Sequence, residues 1–567
     1  MNLFRRTFTR RAKQAMSHEI LPEDVFLDSQ NLSKLNIEQM EGHLERPLGK
    51  HIFYIVLFGC FLLITLFTYR LFSMQIINEK VYSEKADKNH LKTIPLFALR
   101  GTISDRNGKL LAWNMLATSS IDIPKRVYIK EGGFSHLLGY VSYPRKDDSG
   151  IFWQDEYIGK DGLEKQYQTV LQGLSGERII AINALHQIEA ENVIAPPMSG
   201  QNITTTIDKD VQAKLYERIV ELAHKASFTG GAGVIMDVHT GAILAITSYP
   251  EYDNSIMTNA NTDEEKAQVR KNLVDKRHVF LNRAIGGLFT PGSTVKPFIA
   301  IAALMEGVIT PEKNIYSSGQ LVIKNKYGGP DTIFKDWKAH GYTDMRKALE
   351  ESSDEYFYQV GGGYQDQAGL GIDRINKYAT MFGFGTTTGI DLPGEEYGVV
   401  PSQAWKKKVF NEDWLVGNTY HTAIGQYGFQ LTPLELVRAV AVIANGGELV
   451  TPHVLEGITT KNALLSLKEK DLKVIREGMR LVVHGDGGTG KALDIYGVTI
   501  AAKSGTAELG VSKQLVNSWI SGYFPYENPR YAFVVIMEKG DRHNPFGAVF
   551  AAKETIEWMR DNTEYTK

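Results

Sequence analysis

Three short polar runs carry residue types that could do chemistry together. Ser293-Thr294-Val295-Lys296 opens an apolar stretch (Phe298, Ile299, Ile301, Ala302, Leu304), so the spacing predicts a helix with the serine and lysine one turn apart on one face. A serine hydroxyl is a poor nucleophile until a base takes its proton. A lysine amine serves as that base only where burial and nearby positive charge pull its pKa well below the usual value of about 10.4. The start of a helix also directs backbone N–H groups toward the serine, where an oxyanion would develop. Pro297 falls in the first turn, where a missing N–H matters little. The second run is Ser352-Ser353-Asp354 and the third is Lys503-Ser504-Gly505-Thr506. Read singly they are weak: Ser352 reads as a helix cap, Lys503 as a solvated strand lysine, and a serine three residues before a lysine arises by chance. Together they offer one cleft several hydroxyls, two amines and a carboxylate, a set suited to acyl transfer through a serine. Asp354, when ionised, accepts hydrogen bonds but donates none, and it can pair with Lys296 or Lys503.

Those runs need elements to hold them. From Thr204 the chain reads as a short strand, then a helix with Val211, Leu215, Ile219 and Leu222 on one face. The run GAGVIMDVHTGAILAITSYP alternates around His239-Thr240-Gly241 and predicts a hairpin. Further strands are expected at Gly497–Ala502, with Lys503 following it, and at Ser518–Phe524 and Tyr531–Glu538. Helices are expected at Lys296–Glu306 and Pro433–Ala444. Strands at both ends with helices between imply an α+β domain, one antiparallel sheet covered by helices. The residues before it, from Asn114 to Gly200, read as a β-rich module. Asn107-Gly108 between two β-prone runs predicts a type I′ hairpin turn.

A chain of 567 residues exceeds one ordinary core. A net charge of −2 argues against a general nucleic-acid binder. One cysteine, Cys60, excludes an intrachain disulfide. Residues 52 to 69 (IFYIVLFGCFLLITLFTY) carry no charge, and apolar residues continue past Arg70 to Ile77. Such a stretch can cross a bilayer core of about 30 Å. Arg5, Arg6, Arg10, Arg11, Lys13, Arg46 and Lys50 precede it, which places the N-terminus in the cytoplasm and the rest outside. The expected organisation is a tail (1–50), a single transmembrane helix (51–77), a pedestal module (78–203) and the catalytic domain (204–567).

The three runs correspond in order to the S-x-x-K, S-D-N and K-T-G motifs of penicillin-recognising enzymes. Asp354 stands where asparagine is usual, and Ser504 where threonine is. The chain resembles a class B penicillin-binding protein, a monofunctional D,D-transpeptidase. The likeness includes Arg100-Gly101, Asp105-Arg106-Asn107-Gly108, Gly162-Leu163-Glu164, Asn282-Arg283-Ala284, Gly425-Gln426 and Ala444-Asn445-Gly446-Gly447. Trp414-Leu415-Val416-Gly417-Asn418-Thr419 and Ser-x-Asp as the second motif resemble the elongation-type penicillin-binding protein 2. The resemblance implies that Ser293 attacks the carbonyl between the terminal D-alanines of a stem peptide and Lys296 takes its proton. It implies that Ser352, assisted by Asp354, relays a proton to the leaving amine. Lys503, Ser504, Gly505 and Thr506 would then receive the terminal carboxylate, and the N–H groups of Ser293 and Thr506 form the oxyanion hole. It further implies acylation by β-lactams and pairing in the membrane with a SEDS-family glycan polymerase.

Other readings stay open on sequence. A β-lactamase would need a water-activating group; a D,D-carboxypeptidase would pass the acyl group to water; a β-lactam receptor or scaffold would show no turnover; a division-type transpeptidase carries the same motifs. Gly485-Asp486-Gly487-Gly488-Thr489-Gly490-Lys491 looks like a phosphate-binding loop, but Ala492 stands where Mg²⁺ binding needs Ser or Thr, and a helix rather than a strand precedes it. The histidines show no metal-ligand spacing, so neither metal nor cofactor is expected. His421 and His484 are candidates for the rim of the cleft, with a structural role as the plainer reading.

Overall fold

The computed structural model describes residues 50–115, 123–147, 152–182, 188–325, 328–510 and 513–567. The expected tail therefore lies, except for Lys50, outside the described residues. Among them the chain forms two compact units, up to His90 and from Leu91 onward.

In the first unit, helix α1 (Lys50–Phe72) passes through a π-turn (Ser73–Ile77) into α2 (Glu79–His90). The continuous helix Lys50–Ile77 has 28 residues, long enough at about 1.5 Å per residue to cross a bilayer. No residue of α1 is buried, and apolar side chains face every direction, as on a lipid-facing helix. Thr65 and Thr68 donate their hydroxyls to Phe61 O (2.8 Å) and Ile64 O (2.7 Å) of the preceding turn, which satisfies them without water.

The second unit begins with short strands: β1 (Leu91–Leu96), β2 (Ile103–Ser104), β3 (Leu110–Met115), β4 (Lys125–Tyr128), β5 (Gly176–Ile182), β6 (Ile188–Ala195) and β7 (Ile203–Thr204). β1, β5 and β6 form one sheet; β7, β2, β3 and β4 form another, with β7 parallel to β2. The β2–β3 turn departs from the sequence expectation. A type I′ turn needs positive φ at both central residues, but here only Gly108 has it (φ 79°). Asp105 Oδ1 instead accepts from Asn107 N (2.9 Å) and Lys109 N (2.8 Å), and a bulge follows in the ladder. Within the apolar core of this module lies a buried ionic cluster. Glu164 receives Arg100 Nε at 2.5 Å and Arg126 Nε at 2.7 Å, with all three side chains fully buried.

The central sheet holds β8 (Gly230–Asp237), β9 (Ile243–Tyr249), β10 (Ala501–Leu509), β11 (Leu515–Phe524) and β12 (Tyr531–Asp541) in the order β9-β8-β12-β11-β10, every pair antiparallel. Around it lie α3 (Lys209–Lys225), α4 (Lys296–Met305), α5 (Asp354–Gly362), α6 (Pro433–Asn445), α7 (Glu469–His484) and α8 (Ala548–Asn562). Both faces are covered, so the strands read as continuous apolar runs split by parity. Val234, Met236, Val534 and Ile536 face α6 and belong to one buried cluster with the apolar side chains of α4. Ile235, Phe533, Val535 and Ile520 pack with α3 and α8. β10 begins at Ala501 rather than at Gly497, so Lys503 to Thr506 lie inside the strand and not after it.

Removing one member of a buried ionic cluster leaves uncompensated charge. Glu164→Ala is expected to lower the unfolding free energy by about 3–5 kcal/mol. Thermal melts of the full-length protein in detergent would read this as a clear fall in the midpoint; an unchanged midpoint would contradict the assignment.

Candidate active site

Ser293 sits on a 3₁₀ turn (Gly292–Val295) that runs directly into α4 at Lys296. Every residue from Lys296 to Leu304 is buried, so the turn rests on a rigid apolar post. Two glycines wedge it in place. Gly292 N donates to Gly425 O at 3.0 Å, and a Cβ on Gly425 would stand 2.1 Å from Gly292 O. On the other side, a Cβ on Gly505 would stand 2.8 Å from Thr294 Cγ2 and 2.9 Å from Pro291 O. The serine turn therefore lies against β10, the edge strand of the sheet, whose outer backbone groups meet no further strand among the described residues.

The second run divides its labour. Ser353, not Ser352, caps α5: its Oγ accepts from Tyr356 N at 3.3 Å and donates to Asp336 Oδ2 at 2.9 Å. Ser352 is left in the left-handed region (φ 56°), which costs a non-glycine residue on the order of 1–2 kcal/mol. That conformation turns its hydroxyl and carbonyl toward the lysines. Lys296 Nζ donates to Ser352 O (2.7 Å), Ser352 Oγ (3.2 Å) and Asp354 Oδ1 (2.6 Å), the full donor capacity of an ammonium group. Lys503 Nζ donates to the same Ser352 Oγ (2.8 Å) and to Ser504 O (3.1 Å). Both lysines are fully buried. Burial, reinforced by the neighbouring Lys296, holds Lys503 well below the usual lysine range. Burial also pushes Asp354 up, against the pull of Lys296.

The structure thus brings Ser352, Asp354, Lys296 and Lys503 into direct contact, and Asp354 chooses Lys296 between the two partners open to it. It does not bring Lys296 to Ser293: among the described residues the Ser293 hydroxyl has no hydrogen-bond partner. Ser504 is half-buried, Gly505 buried and Thr506 exposed beside the serine turn. Of the two flagged histidines, His421 lies among Phe334 and Tyr358, with ring centroids at 5.3 and 6.3 Å, and burial lowers its pKa. His484 instead faces Asp494 at 3.1 Å.

A supporting cluster behind the second run escaped the sequence reading. Asp336 Oδ2 accepts from Ser353 Oγ and from Glu355 N (2.8 Å), and His340 Nε2 stands 3.4 Å away. His340 Nδ1 lies 2.6 Å from Glu351, the residue before Ser352. Burial disfavours charge on this imidazole, but Asp336 and Glu351 outweigh it and raise its pKa. These positions share no periodicity; only the contact order of the folded chain joins them.

Comparison with known proteins agrees with this geometry. Residues 231–554 match the penicillin binding protein transpeptidase domain, and residues 119–205 match the penicillin-binding protein dimerisation domain. The chain is 29% identical to the peptidoglycan D,D-transpeptidase MrdA of Haemophilus influenzae over 90% of this chain and 91% of that one. It is similar to penicillin-binding protein PBP2 of Helicobacter pylori, solved in complex with MreC, at 28% identity and a TM-score of 0.68, covering 83% of this chain and 99% of that one. A chain from a peptidoglycan synthase complex that coordinates polymerization and crosslinking matches at 25% identity and a TM-score of 0.70, covering 89% and 97%.

Two outcomes follow from the packing. Gly505→Ala should separate β10 from the serine turn and reduce acylation by a fluorescent penicillin by at least about tenfold; labelling at the original rate would contradict the wedge. The raised pKa of His340 means that its charge stabilises the fold fully below the ordinary histidine value of about 6.5 and stops doing so as pH rises through the raised value. The midpoint difference between the wild type and His340→Asn should therefore be larger at about pH 6 than at about pH 9; equal differences would contradict it.

Proposed function

The chain belongs to the penicillin-binding protein transpeptidase family as an elongation-type, class B member, and we propose that it cross-links stem peptides through an acyl-enzyme on Ser293. It is a single-pass membrane protein with an extracytoplasmic catalytic domain. The observation that supports the assignment of roles most strongly is the convergence of two buried lysines on the Ser352 hydroxyl, with the Ser293 turn held against the same strand.

In this reading the Ser293 hydroxyl attacks the carbonyl between the two terminal D-alanines. Its proton goes to Lys296. The amine can accept it once Lys296 has given a proton to Ser352 Oγ (3.2 Å) and the Ser352 hydroxyl has turned its own to Lys503 Nζ (2.8 Å), whose hold on protons burial weakens. Catalytic contacts tighten when substrate arrives, so Lys296 gives up one of its resting bonds to reach Ser293. Ser352 then returns the proton to the departing D-alanine nitrogen, while Asp354 keeps Lys296 oriented. The N–H groups of Ser293 and Thr506 stabilise the oxyanion, each worth about 10²–10³ in rate. Ser504, Thr506 and Lys503 take the terminal carboxylate. An amine of a neighbouring stem peptide attacks the ester and frees Ser293. With a β-lactam the leaving nitrogen stays tethered by the opened ring, and Ser293 remains acylated. A glycan polymerase of the SEDS family is the partner proposed in the membrane, supported by the likeness to a chain of a synthase complex that joins polymerization to crosslinking.

Ser293→Ala should show no mass increase after penicillin treatment, and Ser352→Ala should acylate about 10²–10⁴-fold more slowly. A persistent adduct in the first variant, or an unchanged rate in the second, would remove the assignment. The full-length chain should copurify with a SEDS polymerase of the same cell; separate elution would contradict the pairing.

A further inference from the structure

The glycine-rich loop Gly485–Lys491, set aside above as a phosphate-loop lookalike, joins the second and third runs. Thr489 Oγ1 lies 2.7 Å from Ser504 Oγ. The same loop is fastened to the residues just before Ser352: Gly487 N donates to Glu350 Oε1 at 2.8 Å and Thr489 N to Glu350 O at 3.3 Å. Its glycines are needed for that approach. A Cβ on Gly485 would stand 2.3 Å from Glu350 Oε1, and one on Gly487 would stand 2.7 Å from Glu351 Cγ. At its base, Gly490 N donates to Val482 O at 2.9 Å, which ties it to α7. Thr489 is therefore held from its own backbone, independently of Ser504.

A pair of hydroxyls at this distance has one donor and one acceptor. Where Ser504 donates to Thr489, its single hydrogen is used and only lone pairs face an arriving carboxylate. Where Thr489 donates, Ser504 keeps its hydrogen for the carboxylate, and accepting a bond strengthens the bond it gives. An anion at the site selects the second arrangement. We propose that Thr489 is a positioning residue that sets the hydrogen-bond direction of Ser504, and so tunes the site for substrates ending in a free carboxylate. The proposal rests on the reading that Ser504 receives that carboxylate.

The test compares acylation of the full-length protein by benzylpenicillin and by its methyl ester. Thr489→Val keeps the shape and removes the hydroxyl; it should slow the free acid about tenfold and leave the ester within about twofold. Thr489→Ser restores the donor and should keep the free-acid rate within about threefold of wild type. The unchanged ester rate reports an intact fold. Ser504→Ala tests the underlying reading separately and should lose the preference for acid over ester. Equal slowing of both probes in Thr489→Val, or failure of Thr489→Ser to rescue, overturns the proposal as a merely structural contact. Loss of preference in Ser504→Ala with full preference in Thr489→Val overturns the proposal alone. Preference retained in Ser504→Ala removes the carboxylate reading and the proposal with it.

Discussion

Two lysine ammonium groups cannot both be carried into a dry interior beside one hydroxyl without a large desolvation penalty. Lys296 and Lys503 are nonetheless fully buried and both reach Ser352 Oγ, at 3.2 and 2.8 Å. The rest of the site answers that tension. Asp354 compensates one charge through Lys296. Burial weakens the hold of Lys503 on its proton. The left-handed backbone at Ser352 offers Lys296 a carbonyl as well as a hydroxyl. A group poised to exchange a proton is what remains when a charge is buried with slightly too little compensation.

The fold makes this arrangement stiff. Lys296 stands on a buried helix, Lys503 lies within a strand of the sheet, and Ser352 precedes a helix whose cap is supplied by its neighbour Ser353. Asp336 gathers the capping hydroxyl and an amide of α5, and His340 links Asp336 to Glu351 on the other flank of Ser352. Close approach between the serine turn, β10 and the Gly425 turn depends on the missing Cβ atoms at 425 and 505. Three segments far apart in the chain are thereby held with little slack, the condition under which a proton row can work.

Much of this could be read from residue order. The apolar span before Ile77, the parity-split strands around 235 and 534, and the three polar runs each have a local signal that their physics makes legible. Tyr356 to Tyr358, just after the second run, are buried in the core. Contacts between segments had no such signal. Spacing alone places Lys296 one turn from Ser293, yet the amine turns to Ser352 and Asp354, because a buried ammonium seeks three acceptors and Ser293 offers one. Ser352 was the expected cap of α5, but the backbone gives that role to Ser353. The type I′ expectation at Asn107-Gly108 failed because the Asp105 carboxylate binds the turn amides itself. The Asp336–His340–Glu351 cluster and the Thr489–Ser504 contact join residues with no common period.

Burial in the interior of this site weakens proton binding at Lys503. This weakening is open to direct measurement by ¹³Cε-lysine NMR titration of the full-length protein in detergent, with the resonance assigned by its loss in Lys503→Arg. A lysine signal is expected that titrates well below the ordinary value of about 10.4 and is absent from the variant. A Lys503 resonance that titrates at the ordinary value would contradict it.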